Sequence, residues 1–327
     1  MSNSSEVVFM SDHSLARLGI TTWEVVEGIE KTLQAKARGT VWTAPKASVS
    51  PGDGRYIMTT LGASDEHRVI VAKSVMFNPR NRSRGLPSIN GAILLLDSET
   101  GLLRAAMDAN WVTAVRTAGL SSVAAKRLAN AQSTSVAFIG CGVQARSHLD
   151  AFADLFPLSR VRMFGRGTEN IDRLCALADG KGLKARVCST AREALEDADL
   201  VVSSITHDQQ IEPFLDAGWL KATAFVAIID HGIAWSKDSM SAFEIVIIDD
   251  TEQEAVRSTP MVPRNLIDGD LIGLVTQQLP RTFTPSMRSA FVFQGLAIGD
   301  IAVASLAWER TTAKAARLRS KPSQPVA

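Results

Sequence analysis

The stretch from Ser135 to Asp150, SVAFIGCGVQARSHLD, joins an apolar run, a glycine-rich turn and a helical pattern. In such a unit Gly140 permits a sharp turn, Gly142 lets a ligand approach the backbone, and the small Ala145 lets the helix pack closely on the strand. The free N–H groups at the start of the helix favour an anion. The GxGxxA pattern is weak by itself, because glycine turns are common, but between a strand and a helix it predicts a dinucleotide-binding site.

Strand and helix patterns alternate repeatedly after this turn. Apolar runs spaced by helical or loop segments predict parallel strands that are buried on both faces. The predicted strands are Val161 to Gly165, Lys184 to Cys188, Leu200 to Ile205, Ala224 to Ile229 and Glu244 to Ile248. The fold class is therefore predicted to be α/β, with a doubly wound Rossmann domain over residues 120–288.

The residues before position 120 follow a different pattern. Trp23 to Ala37 has the periodicity of an amphipathic helix, and Val69 to Met76 and Ala92 to Leu96 have that of strands. Asn90-Gly91 predicts a tight turn. Strands joined by short turns indicate a largely antiparallel sheet.

The end of the chain is predicted to return to this first region. Ser289 to Thr311 is interpreted as a helical segment that lies beyond the Rossmann pattern and packs back on the first domain. We therefore predict a smaller α+β domain, for substrate binding and dimerisation, made of residues 1–119 with 289–327.

Composition excludes several classes of partner. Lys and Arg number 35 and Asp and Glu number 34, so no net field attracts nucleic acid or an acidic membrane. The three cysteines lack CxxC spacing, which fits a reducing compartment and no zinc site. The first residues are polar, and no apolar run approaches the ~18 residues of a membrane span. We expect a soluble cytoplasmic protein.

Lys73 stands in the apolar run VIVAKSVM. Strand alternation places it on one face with Val69, Val71 and Val75. A lysine on such a face must reach water, an acidic partner or an anionic ligand. The alternative is an edge position from which the ammonium extends to solvent.

Arg116 interrupts the apolar stripe of a predicted helix from Asn110 to Leu128. Its neighbours on that face are Val112, Leu120 and Val123. The planar guanidinium can bind a carboxylate through two hydrogen bonds. The alternative is a structural salt bridge.

Asp230 closes the predicted strand at Ile229. Ligands of open α/β sheets bind outside the carboxyl ends of the strands, so a carboxylate here can exchange a proton with a substrate. The alternative is a helix cap or an ordinary loop residue. His207 and His231 lie at the same predicted edge, either as proton carriers or as loop residues.

The end of the second Rossmann strand bears on the choice of cofactor. Enzymes that use NAD commonly have an acid there, which binds the ribose 2′-hydroxyl. This chain has Arg166, followed by Thr168. The two residues predict a 2′-phosphate site, so NADP(H) is favoured over NAD(H). Glu169 leaves ribose binding, and hence NAD, as the alternative.

With these residues assembled, the chain resembles the ornithine cyclodeaminase/μ-crystallin family over roughly Val8 to Ala307. The resemblance is carried by three segments, GLPSINGAILLLDSETGLLRAAMDANWVTAVRTAGLSSVAAKRLA from Gly85, GCGVQAR from Gly140, and FVFQGLAIGDIAVA near the end. It implies a homodimer built through the first domain, and hydride exchange at the Cα of a small amino or imino acid.

The resemblance also implies roles for individual residues. Lys73 and Arg116 match residues that bind the substrate carboxylate, and Lys46 matches a second basic residue for the same anion. Lys73 and Asp230, which matches the aspartate at the reacting nitrogen, are the predicted catalytic residues. The predicted cofactor contacts are Thr117, Gly140, Gly142, Val143, Gln144, Ala145, Arg166, Thr168, Ser204, Ile205 and Gly295.

Two departures from the family pattern bear on the reaction. Cyclodeaminases carry a glutamate where this chain has Tyr56, and a Pro-Gly-Lys run where it has His231 to Trp235. We therefore expect reduction of an imine or ketimine carboxylate. Cyclodeaminase activity and a non-catalytic ligand-binding protein are the alternatives. The side chain of the substrate stays open, from cyclic ketimines to a dicarboxylic imine.

Overall fold

The structure, a computed structural model, describes residues 7–206 and 211–319. The chain divides into two compact units, Met1–Arg116 with Ala297–Ala327, and Thr117–Leu296. Helix α3 (Ala109–Leu128) contains the first boundary. The second boundary lies after Leu296, not before Ser289.

The described part of the first unit contains a seven-stranded sheet in the order β1-β7-β6-β5-β4-β2, with β3 paired to β4. Its pairings are antiparallel except for the parallel pair of β1 and β7. The strands are β1 (Val8–Met10), β2 (Val41–Thr43), β3 (Ala47–Val49), β4 (Tyr56–Ser64), β5 (Val69–Phe77), β6 (Ile89–Asp97) and β7 (Leu103–Asp108).

Strand β5 confirms the alternation that was predicted for Lys73. Val69, Val71, Lys73 and Val75 are all buried. Because β4 and β6 pair with β5 on either side, the edge position considered for Lys73 is wrong. Lys73 lies in the middle of the sheet.

The tight turn predicted at Asn90-Gly91 is also wrong, because both residues lie within β6. Gly91 pairs with Val75 on β5. A Cβ atom at Gly91 would lie 2.2 Å from the carbonyl oxygen of Ser74. The glycine therefore permits close packing of two strands and does not reverse the chain.

Two long helices belong to the first unit, α2 (Thr22–Ala37) and α9 (Ala297–Arg319). A capping box between Thr21 and Glu24 fixes the start of α2. Helix α9 packs on α2 and on strands β4, β5 and β6. A short helix α1 (Asp12–Ala16) precedes them.

The sheet face opposite Lys73 carries an apolar row that crosses five strands. Strand pairing aligns the row as Phe9, Ala106, Leu94, Ala72 and Leu61. Phe9 is 74% exposed, and Leu94 and Leu61 are 43% and 45% exposed. We call these five residues the apolar row.

The second unit contains, within its described residues, an eight-stranded parallel sheet in the order β10-β9-β8-β11-β12-β15-β13-β14. The strands are β8 (Ser135–Ile139), β9 (Arg160–Phe164), β10 (Lys184–Val187), β11 (Leu200–Ser203), β12 (Phe225–Ile228), β13 (Ile245–Ile248), β14 (Gly269–Asp270) and β15 (Ser289–Val292). The helices are α4 (Val143–Leu155), α5 (Thr168–Gly180), α6 (Ala191–Leu195), α7 (Thr251–Ala255) and α8 (Leu271–Val275). This is the predicted doubly wound α/β architecture.

Strand β15 corrects the prediction for the end of the chain. Ser289–Val292 is not helical but lies between β12 and β13, buried on both faces. The continuous apolar run from Ala290 to Phe293 fits such a strand. Only from Ala297 does the chain form the helix of the first unit.

Among the described residues, no helix has both the length and the hydropathy to cross a membrane.

Candidate functional site

The first unit holds a buried cluster of charges around Asp300, in the first turn of α9. The Nζ atom of Lys73 donates to Oδ1 of Asp300 at 2.6 Å. The Nε atom of Arg116 lies 3.1 Å from the same oxygen. The hydroxyl of Thr60 donates to Oδ2 at 2.9 Å. We call these four residues the Asp300 cluster.

The Asp300 cluster carries one net positive charge. Burial and the charge of Arg116 lower the pKa of Lys73, Asp300 acts in the opposite direction, and the net pKa is about 8. Burial acts to raise the pKa of Asp300, but the charges of Lys73 and Arg116 bring it below its usual value. Within these four residues two cations therefore share one carboxylate.

The cluster gives both Lys73 and Arg116 an acidic partner in Asp300. Lys73 has the acidic partner that a buried lysine requires. Arg116 makes the salt bridge that was considered as its alternative role. Asp300 was not identified from the sequence, although it interrupts the apolar run LAIGDIAVA just as Lys73 interrupts the run VIVAKSVM.

Lys46 and Tyr56 complete the predicted residues of the first unit. Lys46 lies half-buried in the connection between β2 and β3. Tyr56 stacks on Phe77, with ring centroids 5.4 Å apart. By strand alternation both aromatic residues lie on the sheet face of Lys73. The residue predicted to match the cyclodeaminase acid, Tyr56, is therefore one of an aromatic pair.

The glycine turn of the second unit has the geometry that a dinucleotide requires. Gly140 has φ +88°, and a Cβ there would lie 2.8 Å from the carbonyl oxygen of Ser204. Gly142 caps α4 without a side-chain hydrogen bond, and a Cβ there would meet no atom within 4 Å. Ala145 is fully buried, as close helix packing requires. The open backbone at the start of a 13-residue helix fits a pyrophosphate.

The other predicted cofactor contacts also lie in the second unit, and some of them adjoin the glycine turn. Val143, the first residue of α4, is exposed, and Gln144 follows it. Ser204 and Ile205 follow β11, and Thr117 is buried in α3. Gly295, at φ +103°, donates its N–H to Asp249 at 2.8 Å. The structure gives these positions, and their contacts with a cofactor stay predictions.

Arg166 and Thr168 lie beyond the carboxyl end of β9, and both are exposed. Thr168 begins α5. Glu169, the residue that left NAD as an alternative, pairs with Arg173 at 2.6 Å. The arginine at this edge therefore has an exposed guanidinium, whereas the neighbouring acid has a cation beside it.

Asp230 follows β12 at the carboxyl edge of the sheet and is 5% exposed. No donor among the described residues forms a hydrogen bond of normal length and angle with either carboxylate oxygen, although the Ser203 hydroxyl and the N–H groups of Ile205 and Gly232 lie near. Burial raises the pKa of Asp230 to about 7, although the Ser203 hydroxyl and the N–H groups of Ile205 and Gly232 oppose the rise. Asp230 caps none of the described helices, so the capping role considered for it is not observed.

Trp235 and Ser203 support this edge and were not identified from the sequence. The indole N–H of Trp235 donates to the Ser203 hydroxyl at 2.9 Å, and both side chains are buried. A tryptophan after a predicted loop is a common core residue, so no sequence signal set it apart. This hydrogen bond holds the Ser203 hydroxyl, and that hydroxyl acts to lower the pKa of Asp230.

A cavity of about 680 Å³ adjoins this edge, lined by His231, Gly232, Ile233, Lys237 and Arg257 among others. Its volume is in the range of small-ligand sites. His231 has a left-handed backbone, at φ +58°. His207 lies outside the described residues.

Comparison with known proteins shows the family of this chain. The model of the ornithine cyclodeaminase/mu-crystallin family matches residues 7–245. The chain belongs to this family. The ketimine reductase mu-crystallin of Mus musculus is 29% identical over 258 residues, which cover 77% of this chain and 79% of that protein. Members of the family therefore include reductases of ketimines.

Solved structures of family relatives share the fold. Thermococcus litoralis Δ1-pyrroline-2-carboxylate reductase, in complex with NADH and L-proline, superposes with a TM-score of 0.86 at 23% identity, over 94% of this chain and 98% of that chain. An archaeal alanine dehydrogenase dimer with bound NAD gives 0.83 at 22% identity, over 94% and 97%. These likenesses confirm the Rossmann architecture of the second unit.

Proposed function

We propose that this family member is an NAD(P)H-dependent oxidoreductase that acts on the Cα–N bond of an amino or imino acid, and that it reduces an imine or ketimine carboxylate to the amino acid. Asp230 carries the proposal. It is a buried carboxyl group without a hydrogen-bond partner among the described residues, at the ligand-binding edge of a parallel sheet. A group with a pKa of about 7 can both give and accept a proton near neutral pH.

The substrate carboxylate binds Lys73 and Arg116, with Lys46 as a further cation. The excess positive charge of the Asp300 cluster supports this assignment. Binding of one carboxylate neutralises the cluster and restrains the substrate, which lowers the entropic part of the barrier. When bound, the nicotinamide cofactor supplies the hydride that reduces the C=N carbon.

Asp230 holds and transfers the proton of the substrate nitrogen. In the direction of reduction, its protonated form donates to the nitrogen directly or through a water molecule. Burial favours that protonated form up to a pH of about 7. The carboxylate left after the transfer is then reprotonated from solvent.

For the cofactor we propose NADP(H) in preference to NAD(H). Arg166 and Thr168 are exposed at the end of β9, where a 2′-phosphate binds in this fold. The ion pair of Glu169 with Arg173 reduces the availability of Glu169 for a ribose hydroxyl. Gly140, Gly142 and the start of α4 bind the pyrophosphate.

Cyclodeaminase activity and simple ligand binding are less well supported. The stacked pair of Tyr56 and Phe77 offers no carboxylate to an ω-ammonium group. A binding protein would gain nothing from a buried carboxyl group that lacks a partner, since burial of such a group costs stability.

We further propose that the protein forms a homodimer through the apolar row. Exposed apolar rows of this kind mark protein interfaces, and the row is self-complementary in chemistry, as a two-fold interface requires. Leu94→Glu is expected to give a monomer in light scattering, whereas Leu102→Glu, an exposed leucine in the β6–β7 turn, stays dimeric. A dimer that persists in Leu94→Glu would contradict the interface.

The proposed reaction is tested by oxidation of NADPH and NADH against cyclic imines and against keto acids with ammonia. We expect one NADPH to be consumed for each amino acid formed. Release of ammonia from ornithine without net NADPH consumption would instead identify a cyclodeaminase. Ligand binding without turnover across the whole panel would identify a binding protein.

A further inference from the structure

We propose that Asp300 is a positioning residue of the carboxylate site, which holds Lys73 and Arg116 at one point and sets the net charge of the site at plus one. The proposal rests on the proposed function, since it assigns the site's ligand as a carboxylate. Asp300 itself contacts the two cations and is not assigned any contact with the substrate.

The geometry of Asp300 is that of a bridge. One oxygen, Oδ1, contacts both Lys73 Nζ and Arg116 Nε, at 2.6 and 3.1 Å. The other oxygen accepts the hydroxyl of Thr60 at 2.9 Å, which fixes the rotation of the carboxylate. The position in the first turn of a 23-residue helix further favours the ionised form.

The charge balance indicates what the bridge achieves. Lys73 and Arg116 are both buried, and without a counter-charge they would repel each other in a medium of low polarity. One carboxylate removes most of this repulsion and leaves one positive charge. The cluster therefore matches a ligand with one carboxylate at this point, and a second carboxylate on the ligand would need a cation elsewhere.

Asp300 also keeps Lys73 protonated. The charged groups that act on Lys73 come from two helices, Arg116 from α3 and Asp300 from α9. The residues that pair with Lys73 on the neighbouring strands, Thr60 and Ile93, do not titrate. The pKa of Lys73 is about 8 with Asp300 acting against burial and Arg116, so the loss of Asp300 would lower it further, into the working range of the protein.

The test measures binding of pyrrole-2-carboxylate, an unreactive carboxylate, by calorimetry between pH 6 and pH 9 in the presence of NADP⁺. For the wild type we expect affinity to fall above a pH of about 8. In Asp300→Asn the fall should begin at least about one pH unit lower. The loss of affinity relative to the wild type should then be about tenfold larger at pH 8 than at pH 6, where Lys73 is protonated in both proteins.

A merely structural role for Asp300 predicts a different result, namely affinity reduced equally at every pH. That result, or an unshifted pH dependence in a folded variant, would overturn the proposal. If Asp300→Asn does not fold, Thr60→Val is the variant to test instead, because it removes only one neutral hydrogen bond to Asp300. It should weaken binding about threefold, with recovery in Thr60→Ser, and wild-type affinity in Thr60→Val would contradict the positioning role.

The binding assay separates this inference from the proposed function, because it requires no turnover. A wild type that binds the probe with the expected pH dependence but reduces no imine contradicts the proposed function alone. A wild type that reduces imines, with Asp300→Asn unshifted in its pH dependence, contradicts the role of Asp300 alone.

Discussion

Asp300 in the first unit and Asp230 in the second are both buried, and their carboxyl groups have opposite surroundings. Asp300 contacts two cations and a hydroxyl, and its pKa lies below the usual value. Asp230 has no hydrogen-bond partner among the described residues, and burial raises its pKa to about 7. The same side chain thus favours its ionised form in one unit and titrates near neutral pH in the other.

These opposite surroundings distinguish a residue that orders a site from one that reacts. A buried carboxylate that is fully paired stabilises an arrangement of charges and resists protonation. A buried carboxyl group without partners lowers stability when it ionises, and such a cost is typical of catalytic positions. Substitutions in both units test this contrast.

Asp230→Asn should reduce kcat for imine reduction about 10²- to 10⁴-fold, since the amide cannot exchange the proton. Steady-state kinetics at pH 7 with the imine found in the substrate panel measures the loss. Asp238→Asn, a variant on a nearby 3-10 helix, is the matched control and should keep wild-type activity. Turnover by Asp230→Asn at the wild-type rate would remove Asp230 from the reaction.

The same variant should be more stable than the wild type at pH 8. The folded-state pKa of Asp230, about 7, lies above the ordinary aspartate pKa of 3.8, so its stabilising contribution is complete below pH 3.8 and lost as pH rises through 7. Asp230→Asn avoids this loss, and we expect a gain of roughly 2 kcal/mol at pH 8 that shrinks towards pH 4. Urea unfolding at the two pH values tests the sign, and destabilisation at pH 8 would contradict it.

Lys73→Met should have the opposite effect on stability, because it deprives Asp300 of its nearer partner. Breaking a buried ion pair costs about 3 kcal/mol or more. Lys31→Met, which removes an exposed pair with Glu27, should cost less than about 1 kcal/mol. If both variants lost the same small amount in urea unfolding, the Asp300 cluster would not have the energetic role described.

Two glycines of the turn should respond differently to alanine. Gly140→Ala places a Cβ 2.8 Å from a backbone oxygen at φ +88° and should cost about 1–3 kcal/mol of stability. Gly142→Ala meets no atom and should leave stability unchanged, but its methyl group takes the space assigned to the pyrophosphate. Fluorescence titration with NADPH should show weaker binding in Gly142→Ala, and unchanged binding would move the phosphate site elsewhere.

Arg166→Ala should lower the preference for NADPH over NADH about tenfold or more, by loss of a charge-assisted contact to the 2′-phosphate. Stability should not change, because Arg166 is exposed. Arg160→Ala, at the other end of β9, is the control and should leave the preference unaltered. The measurement is the ratio of kcat/KM with NADPH to kcat/KM with NADH. An unaltered ratio in Arg166→Ala would contradict the predicted use of NADP.

Local patterns predicted the parts of the fold that depend on neighbouring residues. The alternation around Lys73 gave its buried face, and the glycine turn at Gly140 was predicted with its strand and helix. Strand β15 was missed, because Ser289–Val292 inserts between two strands that precede it in the chain. The tight turn predicted at Asn90-Gly91 was wrong because glycine is favoured both in tight turns and where two strands pack closely, and the sequence alone does not distinguish these two cases.

Part of the candidate site could be predicted from the sequence. Lys73, Arg116 and Asp230 each disturb an apolar pattern, and that disturbance is visible in the sequence. The contact of Lys73 with Asp300 joins residues 227 positions apart, and no local pattern indicates such a pairing. The absence of partners around Asp230 within the described chain is likewise a property of three-dimensional packing, so its raised pKa could not be read from the sequence.

The contrast between the two aspartates is tested most directly by carboxyl ¹³C NMR of protein labelled at aspartate, with Asp230→Asn and Asp300→Asn used for assignment. The resonance of Asp230 should titrate with a pKa of about 7, and that of Asp300 should stay that of an ionised carboxylate at pH 5. Titration of Asp230 at an ordinary aspartate pKa, or protonation of Asp300 near neutral pH, would contradict the account.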